Sequence, residues 1–335
     1  MQCLQISCTE HKSARALWAL CIGSLLGAVL LSLCVGAVAI APAQLWQALF
    51  AQDTAPARIL WHVRVPRTAA TLLAGAALAV AGAVIQAVLH NPLAGPNIIG
   101  VNAGAGLGAV LCMALLPALP MLTSLGAFLG ALAAVLLVYG VAQKTGASRM
   151  TLVLAGVAVN AVLSACIDTT TTLFPDALQS SNAFKIGGVS GAALKSLSPA
   201  WAVILVAILA VWLLHHELDV LELGDETAQS LGLSAKTMRR VFLVLAAALA
   251  GAAVSFAGLL GFIGLLVPHA VRFFTGSESG RLIPACAVLG AAFLTICDVL
   301  ARSLFSPYEI PVGILLSLLG GPFFLSLLVR RRGHD

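Results

Sequence analysis

Residues 215 to 240 read HHELDVLELGDETAQSLGLSAKTMRR, a long polar passage inside an otherwise apolar chain. The passage holds five of the thirteen acids (Glu217, Asp219, Glu222, Asp225, Glu226) and three of the eighteen bases (Lys236, Arg239, Arg240). Its flanks are mostly hydrocarbon. Hydrophobic residues make up 60% of the 335 residues, charged residues 9%, and the mean hydropathy is +1.04. A water-soluble domain carries about 25% charged residues. Apolar runs of about 20 residues, long enough to cross a bilayer as helices, recur on both sides of the polar passage. Backbone groups in lipid must bond within their own segment, and the runs are not short alternating ones, so helices are favoured over a barrel. The reading is an all-α polytopic membrane protein with one polar island, the segment expected to meet another folded protein in water.

Apolar runs predict ten spans: 16–40, 67–89, 97–116, 119–141, 150–173, 199–216, 238–257, 258–274, 282–303 and 310–329. The first follows Lys12 and Arg15 and contains an Ala37-Val-Ala39 stretch resembling a cleavage site. At about 24 residues it exceeds the 7–15 of a signal-peptide core, so a retained helix is expected. The eighth is interrupted by Gly258, Gly261, Gly264 and Pro268. Were it not to cross, nine spans would put the chain ends on opposite sides.

With ten spans and the N-terminus inside, twelve of the eighteen bases fall in inner loops. Six remain outside: Arg58, Arg64, Arg67, Lys185, Lys195 and Arg302. That asymmetry follows the positive-inside rule and places the island and both termini in the cytoplasm. Arg58, Arg64 and Arg67 oppose the bias. They read either as long side chains snorkelling to lipid phosphate or as a docking patch for an acidic partner.

Asp298 and Arg302 lie four apart and face one another on a helix, as a self-neutralised pair or a proton relay. Asp168, beside four threonines, has no base near it in sequence and is expected to face a water-filled cavity. Asn91-Pro-Leu-Ala-Gly-Pro96 and Val267-Pro-His269 break helices, as hinges or gates or as plain interhelical turns. Small-x-x-x-small pairs (Gly23/Gly27, Gly100/Gly104, Gly104/Gly108, Gly126/Gly130) let helices approach closely. Leu73-Ala-Gly-Ala-Ala77 returns 176 residues later as Leu249-Ala-Gly-Ala-Ala253, five spans on, a weak sign of an inverted internal repeat.

The chain has eight cysteines with no C-x-x-C pair and no H-E-x-x-H spacing, so no metal site is proposed. It has no G-x-x-x-x-G-K-[ST] loop and no catalytic constellation, so it is read as a non-enzyme. If ATP drives it, a separate subunit must bind the nucleotide and its magnesium.

Four passages in order resemble the FecCD-type, BtuC-like permeases of bacterial ABC importers for iron–siderophores, haem and cobalamin. They are Arg64-Val-Pro-Arg67 with its helix through Gln86, then Asn91 to Pro96 with Gly100-Val-Asn102. Leu223-Gly-Asp-Glu-Thr-Ala228 with Leu231-Gly-Leu233 is the third. The last runs through Gly261-Phe-Ile-Gly-Leu265, Val267-Pro-His269, Asp298 to Arg302, Ile310-Pro-Val-Gly313 and Gly320-Gly-Pro322.

The resemblance implies a type II importer permease fold, one domain over 1–335 with a coupling segment at 217–238. It implies an inner-membrane protein with a second permease copy or paralogue, two cytoplasmic ATPase subunits and a periplasmic substrate-binding protein. ATPase coupling would fall on Leu223, Gly224, Asp225, Glu226, Thr227, Ala228, Leu231, Gly232 and Leu233. Binding-protein docking would fall on Arg64, Arg67 and Arg302. The pathway and its gates would fall on Asn91, Leu93, Ala147, Ser148, Arg149, Met150, Asn160 and Asp168. Lys185 departs from the apolar or uncharged residue expected in Phe184-Lys-Ile-Gly-Gly188, and Val65 replaces a commoner leucine. The rival class is an ion-coupled secondary transporter using Asp168 and Asp298, which leaves the polar island unexplained.

Overall fold

A computed structural model describes residues 2–36, 40–50, 54–145, 149–305 and 308–331. In order, the helices are α1 (Gln2–Cys34), α2 (Pro42–Phe50), α3 (Ala55–Ile59), α4 (Val65–Leu89), α5 (Val101–Leu115) and α6 (Met121–Lys144). Next come α7 (Arg149–Leu173), α8 (Asp176–Ile186), α9 (Leu194–Leu213), α10 (His215–Glu222) and α11 (Asp225–Ser230). The last four are α12 (Ala235–Ala257), α13 (Ile263–Thr275), α14 (Ser279–Ser303) and α15 (Val312–Arg331). Among the described residues, six helical stretches are long and apolar enough to span a bilayer, and four shorter apolar helices accompany them. Those ten correspond one to one with the ten expected spans.

Helix α4 is the centre of the bundle. Almost every residue from Ala74 to Leu89 is buried, because Ala and Gly there leave room for α12, α13 and α14 to pack around it. Its span begins earlier than expected. A π-helical turn over Leu60–Arg64 joins α3 to α4 into a continuous stretch from Ala55 to Leu89. Pro66 has no N–H to give, and it sits directly after the π-helical turn, where the ordinary ladder is already interrupted. Arg64 and Arg67 therefore lie within the second span and not in a loop before it.

Helices α5 and α6 cross at glycines. A Cβ on Gly108 would stand 2.0 Å from the Gly126 carbonyl oxygen, and one on Gly104 2.3 Å from that of Gly130. Three of the four expected small-residue pairs draw on residues of this crossing. Gly23 and Gly27 of α1 have nothing within 4 Å of their would-be Cβ.

The eighth expected span is not one helix. Residues Gly258 to Phe262 are irregular, and α13 has 13 residues, about 20 Å at 1.5 Å each. A bilayer core is about 30 Å thick. Gly258 ends α12 at φ +68°, and Phe262 starts α13 in the left-handed region at φ +65°. The irregular backbone is covered by protein: Leu259 donates to the Phe184 carbonyl at 3.0 Å, and Phe262 packs on Gly320 of α15. Likewise α5 has 15 residues, preceded by a 3₁₀ turn over Pro96–Ile99. The polar island folds as two short helices, α10 and α11.

Candidate functional site

The polar island folds as α10, a bend at Leu223-Gly224, α11, and a turn at Leu231-Gly232 leading into α12. Gly224 and Gly232 take φ of +115° and +83°, values that L side chains rarely adopt, so the two bends need glycine. Leu218 and Leu221 of α10 and Ala228 of α11 are buried against the bundle. Leu223 and Leu231 point outward, 64% and 62% exposed. Two exposed leucines on adjacent polar turns make an apolar edge that water alone does not favour. Glu226 and Thr227 are exposed beside them, and Leu233 is partly buried.

Three polar contacts brace this segment to three different helices. His90, at the left-handed end of α4, places Nε2 2.9 Å from the Leu221 carbonyl oxygen. Asp219 accepts from the Ser279 N–H at 2.9 Å, satisfying an open donor at the start of α14. The buried Arg239 of α12 donates to Asp225 at the start of α11. Glu222 ends α10 and is partly buried. Burial pushes its carboxyl up from the ordinary glutamate range; Arg272 opposes that and Asp219 adds to it. Arg272 in turn donates to Gln86 of α4, whose amide donates to the Gly264 carbonyl of α13 at 3.1 Å. A displacement of α10 therefore bears directly on α4, α12 and α14, and Gln86 joins α4 to α13.

At the far end of α4 a second polar cluster forms. Arg67 forks onto Asp298, with Nε 2.9 Å from Oδ2 and Nη2 3.0 Å from Oδ1, while Nη1 reaches Glu309 at 2.8 Å. Arg302 stands 3.7 Å from Asp298 and donates to the Ser32 carbonyl at 2.8 Å and hydroxyl at 2.9 Å. Arg64 donates to the Leu33 carbonyl. All three arginines are buried, at 3%, 6% and 4% exposure for Arg64, Arg67 and Arg302. The expected Asp298–Arg302 pair is present, and the cluster adds two features to it. Asp298 is held foremost by Arg67 from another helix and only secondarily by Arg302. The three arginines are not presented to solvent as an open patch. Their head groups bind α1 and α14, because charge inside a bundle needs internal partners.

Of the expected pathway residues, Asn91 folds into a turn: its Oδ1 accepts from the Leu93 N–H at 3.0 Å. Leu93 lines a cavity of about 320 Å³ with Phe262 and Phe324. Ala147 and Ser148 lie outside the described residues. Arg149 begins α7, followed by the exposed Met150. Asn160 and Asp168 lie together in another groove of about 320 Å³, walled by α5, α7 and the end of α8. Asn97, Asn102, Ser164 and Lys185 complete its polar lining. Asn91 and Leu93 are thus separated from Asp168, although Asn97 touches both cavities. Lys185, flagged only as a departure, turns out to share the Asp168 groove. No sequence spacing could have joined them, since the joint that places Lys185 is made by distant backbone. Gly188 donates to Ala257 at 2.8 Å and Gly313 to Gly187 at 3.2 Å. Among the described residues no group of three or more His, Cys, Asp or Glu could hold a metal ion.

The FecCD transport family matches this chain over residues 24–330. The chain belongs to that family. A Fe(3+)-citrate import permease of Bacillus subtilis, YfmE, is 37% identical over 326 residues, covering 96% of this chain and 97% of the relative. The hemin transport permease HmuU of Yersinia pestis is 36% identical, covering 89% and 90% of the two chains. Other relatives, 35% and 38% identical, are named for iron(3+)-hydroxamate and cobalamin import. A solved structure described as an inward-facing conformation of a metal-chelate type ABC transporter superposes with a TM-score of 0.84. It is 26% identical and covers 95% of this chain and 99% of its own. As a FecCD member the chain is a multi-pass permease of an ABC importer, a component of complexes that include an ATPase and a binding protein. ATP hydrolysis belongs to the separate ATPase subunit.

Proposed function

We propose that this permease carries a ferric chelate from the periplasm to the cytoplasm by alternating access, paired with a second permease copy. In this reading the chain lies in the bacterial inner membrane with both termini and the island in the cytoplasm. Two ATPase subunits seat on the island, one per permease. ATP-driven closure of the ATPases pushes α10 and α11, and the braces at His90, Asp219 and Arg239 pass the motion to α4, α14 and α12. The binding protein docks on the opposite face, above Arg64, Arg67 and Arg302. Those three arginines against Asp298 and Glu309 leave one net positive charge beneath that face. Such a charge steers an acidic partner without direct contact, in a salt-dependent way.

The observation that carries the reading is the exposed pair Leu223 and Leu231 on a segment braced to three bundle helices. Asp225 is a poor test residue, because its loss would also break the Arg239 contact inside the island. Leu223→Asp with Leu231→Asp alters only the outer edge. Recovery of the ATPase on a tagged permease should fall at least about tenfold, the loss of one apolar anchor pair, while detergent stability is retained. Undiminished ATPase recovery would remove the island from the coupling role. The ion-coupled alternative predicts uptake driven by a proton gradient without any ATPase subunit.

A further inference from the structure

The groove holding Asp168 and Lys185 contains two charges with no ion-pair partner among the described residues. Asp168 is exposed on α7 and Lys185 half-buried at the end of α8, and both side chains lack a hydrogen-bond or ion-pair partner. The fully buried charges of the bundle are handled differently: Arg67, Arg239, Arg302 and Asp298 all have partners. Unpaired charge in a membrane-embedded wall belongs to water-filled space or to a passing ligand. The amide of Asn160 donates to the Asn97 carbonyl at 2.8 Å, and its buried Oδ1 is left without a partner. Asn97, Asn102 and Ser164 add further donors and acceptors along the same wall.

The lining also says what does not fit. Its apolar residues are Ala103, Gly106, Ile167 and Leu259, with no aromatic ring to lie against a porphyrin face. Its one hard anionic oxygen ligand for ferric iron is the single carboxylate of Asp168, too few donors to displace a multidentate chelator, so the cargo passes with its coordination complete. At about 320 Å³ the groove is at the small end of ligand pockets and touches one side of its cargo.

We propose that this groove is a transfer station for an intact, hydrophilic, carboxylate-bearing ferric chelate of the citrate type. Lys185 meets an ionised carboxylate, the asparagines hydrogen-bond the remaining oxygens, and Asp168 keeps the visit brief by competing for the ammonium. An ammonium alone would hold an anionic chelate too tightly for release, and the adjacent carboxylate offsets that. The inference rests on the importer reading and gives it a substrate class.

The test uses the whole importer, permease with its ATPase and binding protein, in proteoliposomes, with iron-55 citrate and hemin as the two probes. Wild type should take up ferric citrate in an ATP-dependent way and hemin far more slowly. Lys185→Gln should cut citrate uptake at sub-saturating chelate about tenfold, the worth of one charge-assisted contact. Binding-protein affinity and stimulated ATPase should stay within about twofold, and Lys185→Arg should restore uptake. Asp168→Asn should act in the opposite sense, lowering the half-saturating concentration and slowing maximal uptake by about threefold. Wild type that shows no ATP-dependent uptake of either probe or of a ferric hydroxamate overturns the ferric-chelate reading and this one with it, whereas uptake of the hydroxamate alone overturns only the transfer station. Hemin uptake equal to or faster than citrate uptake, or both variants behaving as wild type in an active importer, overturns the transfer station alone.

Discussion

At the scale of single residues, the buried charges are the most constrained feature of the molecule. Asp298 is 1% exposed and accepts three hydrogen bonds from Arg67 at 2.9–3.1 Å, while Arg302 stands farther off at 3.7 Å. Breaking a buried pair by removing one partner costs about 3–5 kcal/mol, because the remaining charge is left in a poor solvent. Arg67→Ala should lower thermal stability in detergent by about that amount and abolish transport as a consequence. Arg67→Lys should recover only part of it, since an ammonium cannot fork onto Asp298 while also reaching Glu309. If Arg67→Ala unfolds at the wild-type temperature and loses only binding-protein affinity, the arginine serves docking directly and its internal contacts carry little stability.

At the scale of elements, small residues decide where helices touch. The α5–α6 crossing depends on Gly104, Gly108, Gly126 and Gly130, which bring backbone against backbone. In lipid no hydrophobic force draws helices together, so close packing of this kind supplies the attraction. Gly108→Leu should destabilise the protein by about 1–3 kcal/mol, the usual cost of overpacking, because the Gly126 backbone cannot give way. Gly140→Leu is the matched control, since a Cβ there meets nothing within 4 Å. Equal melting temperatures for the two variants would show that the crossing does not hold the bundle. These small-residue pairs were legible in the sequence because their spacing is local. The elements not legible as apolar runs were short: α2, α8, α10 and α11 are 9, 11, 8 and 6 residues long. None is long enough to cross a bilayer, so no span-length apolar run announces them. The eighth span was legible with its interruption: Gly258 and Gly261 fall in the irregular backbone before α13, which is shorter than the apolar run.

At the scale of the whole molecule, the ten apolar helices could be read directly, because a bilayer forces hydrocarbon onto every crossing segment. The polar cluster at the end of α4 could not. Arg67 finds Glu309 across 242 residues and Arg302 finds Ser32 across 270, pairings that only the assembled bundle creates. The same limit applies to the surface that one copy leaves uncovered. Helix α7 exposes Leu154, Val157 and Val162, and α15 exposes Leu318 and Leu325, each at about 60% or more. Both helices border the cavities that hold Asp168 and Phe324. A pathway lined by one copy alone would open sideways into lipid, so a second copy should close it along α7 and α15. With the exposed Cys166 replaced by serine, Leu154→Cys or Leu318→Cys should yield disulfide-linked dimers in oxidised membranes. Leu205→Cys on α9, 52% exposed but on another helix, should not. Crosslinking at Leu205 in place of Leu154 and Leu318 would move the interface to α9. Crosslinking at none of the three, together with failure of two differently tagged copies to co-purify, would require a different permease chain to complete the pathway.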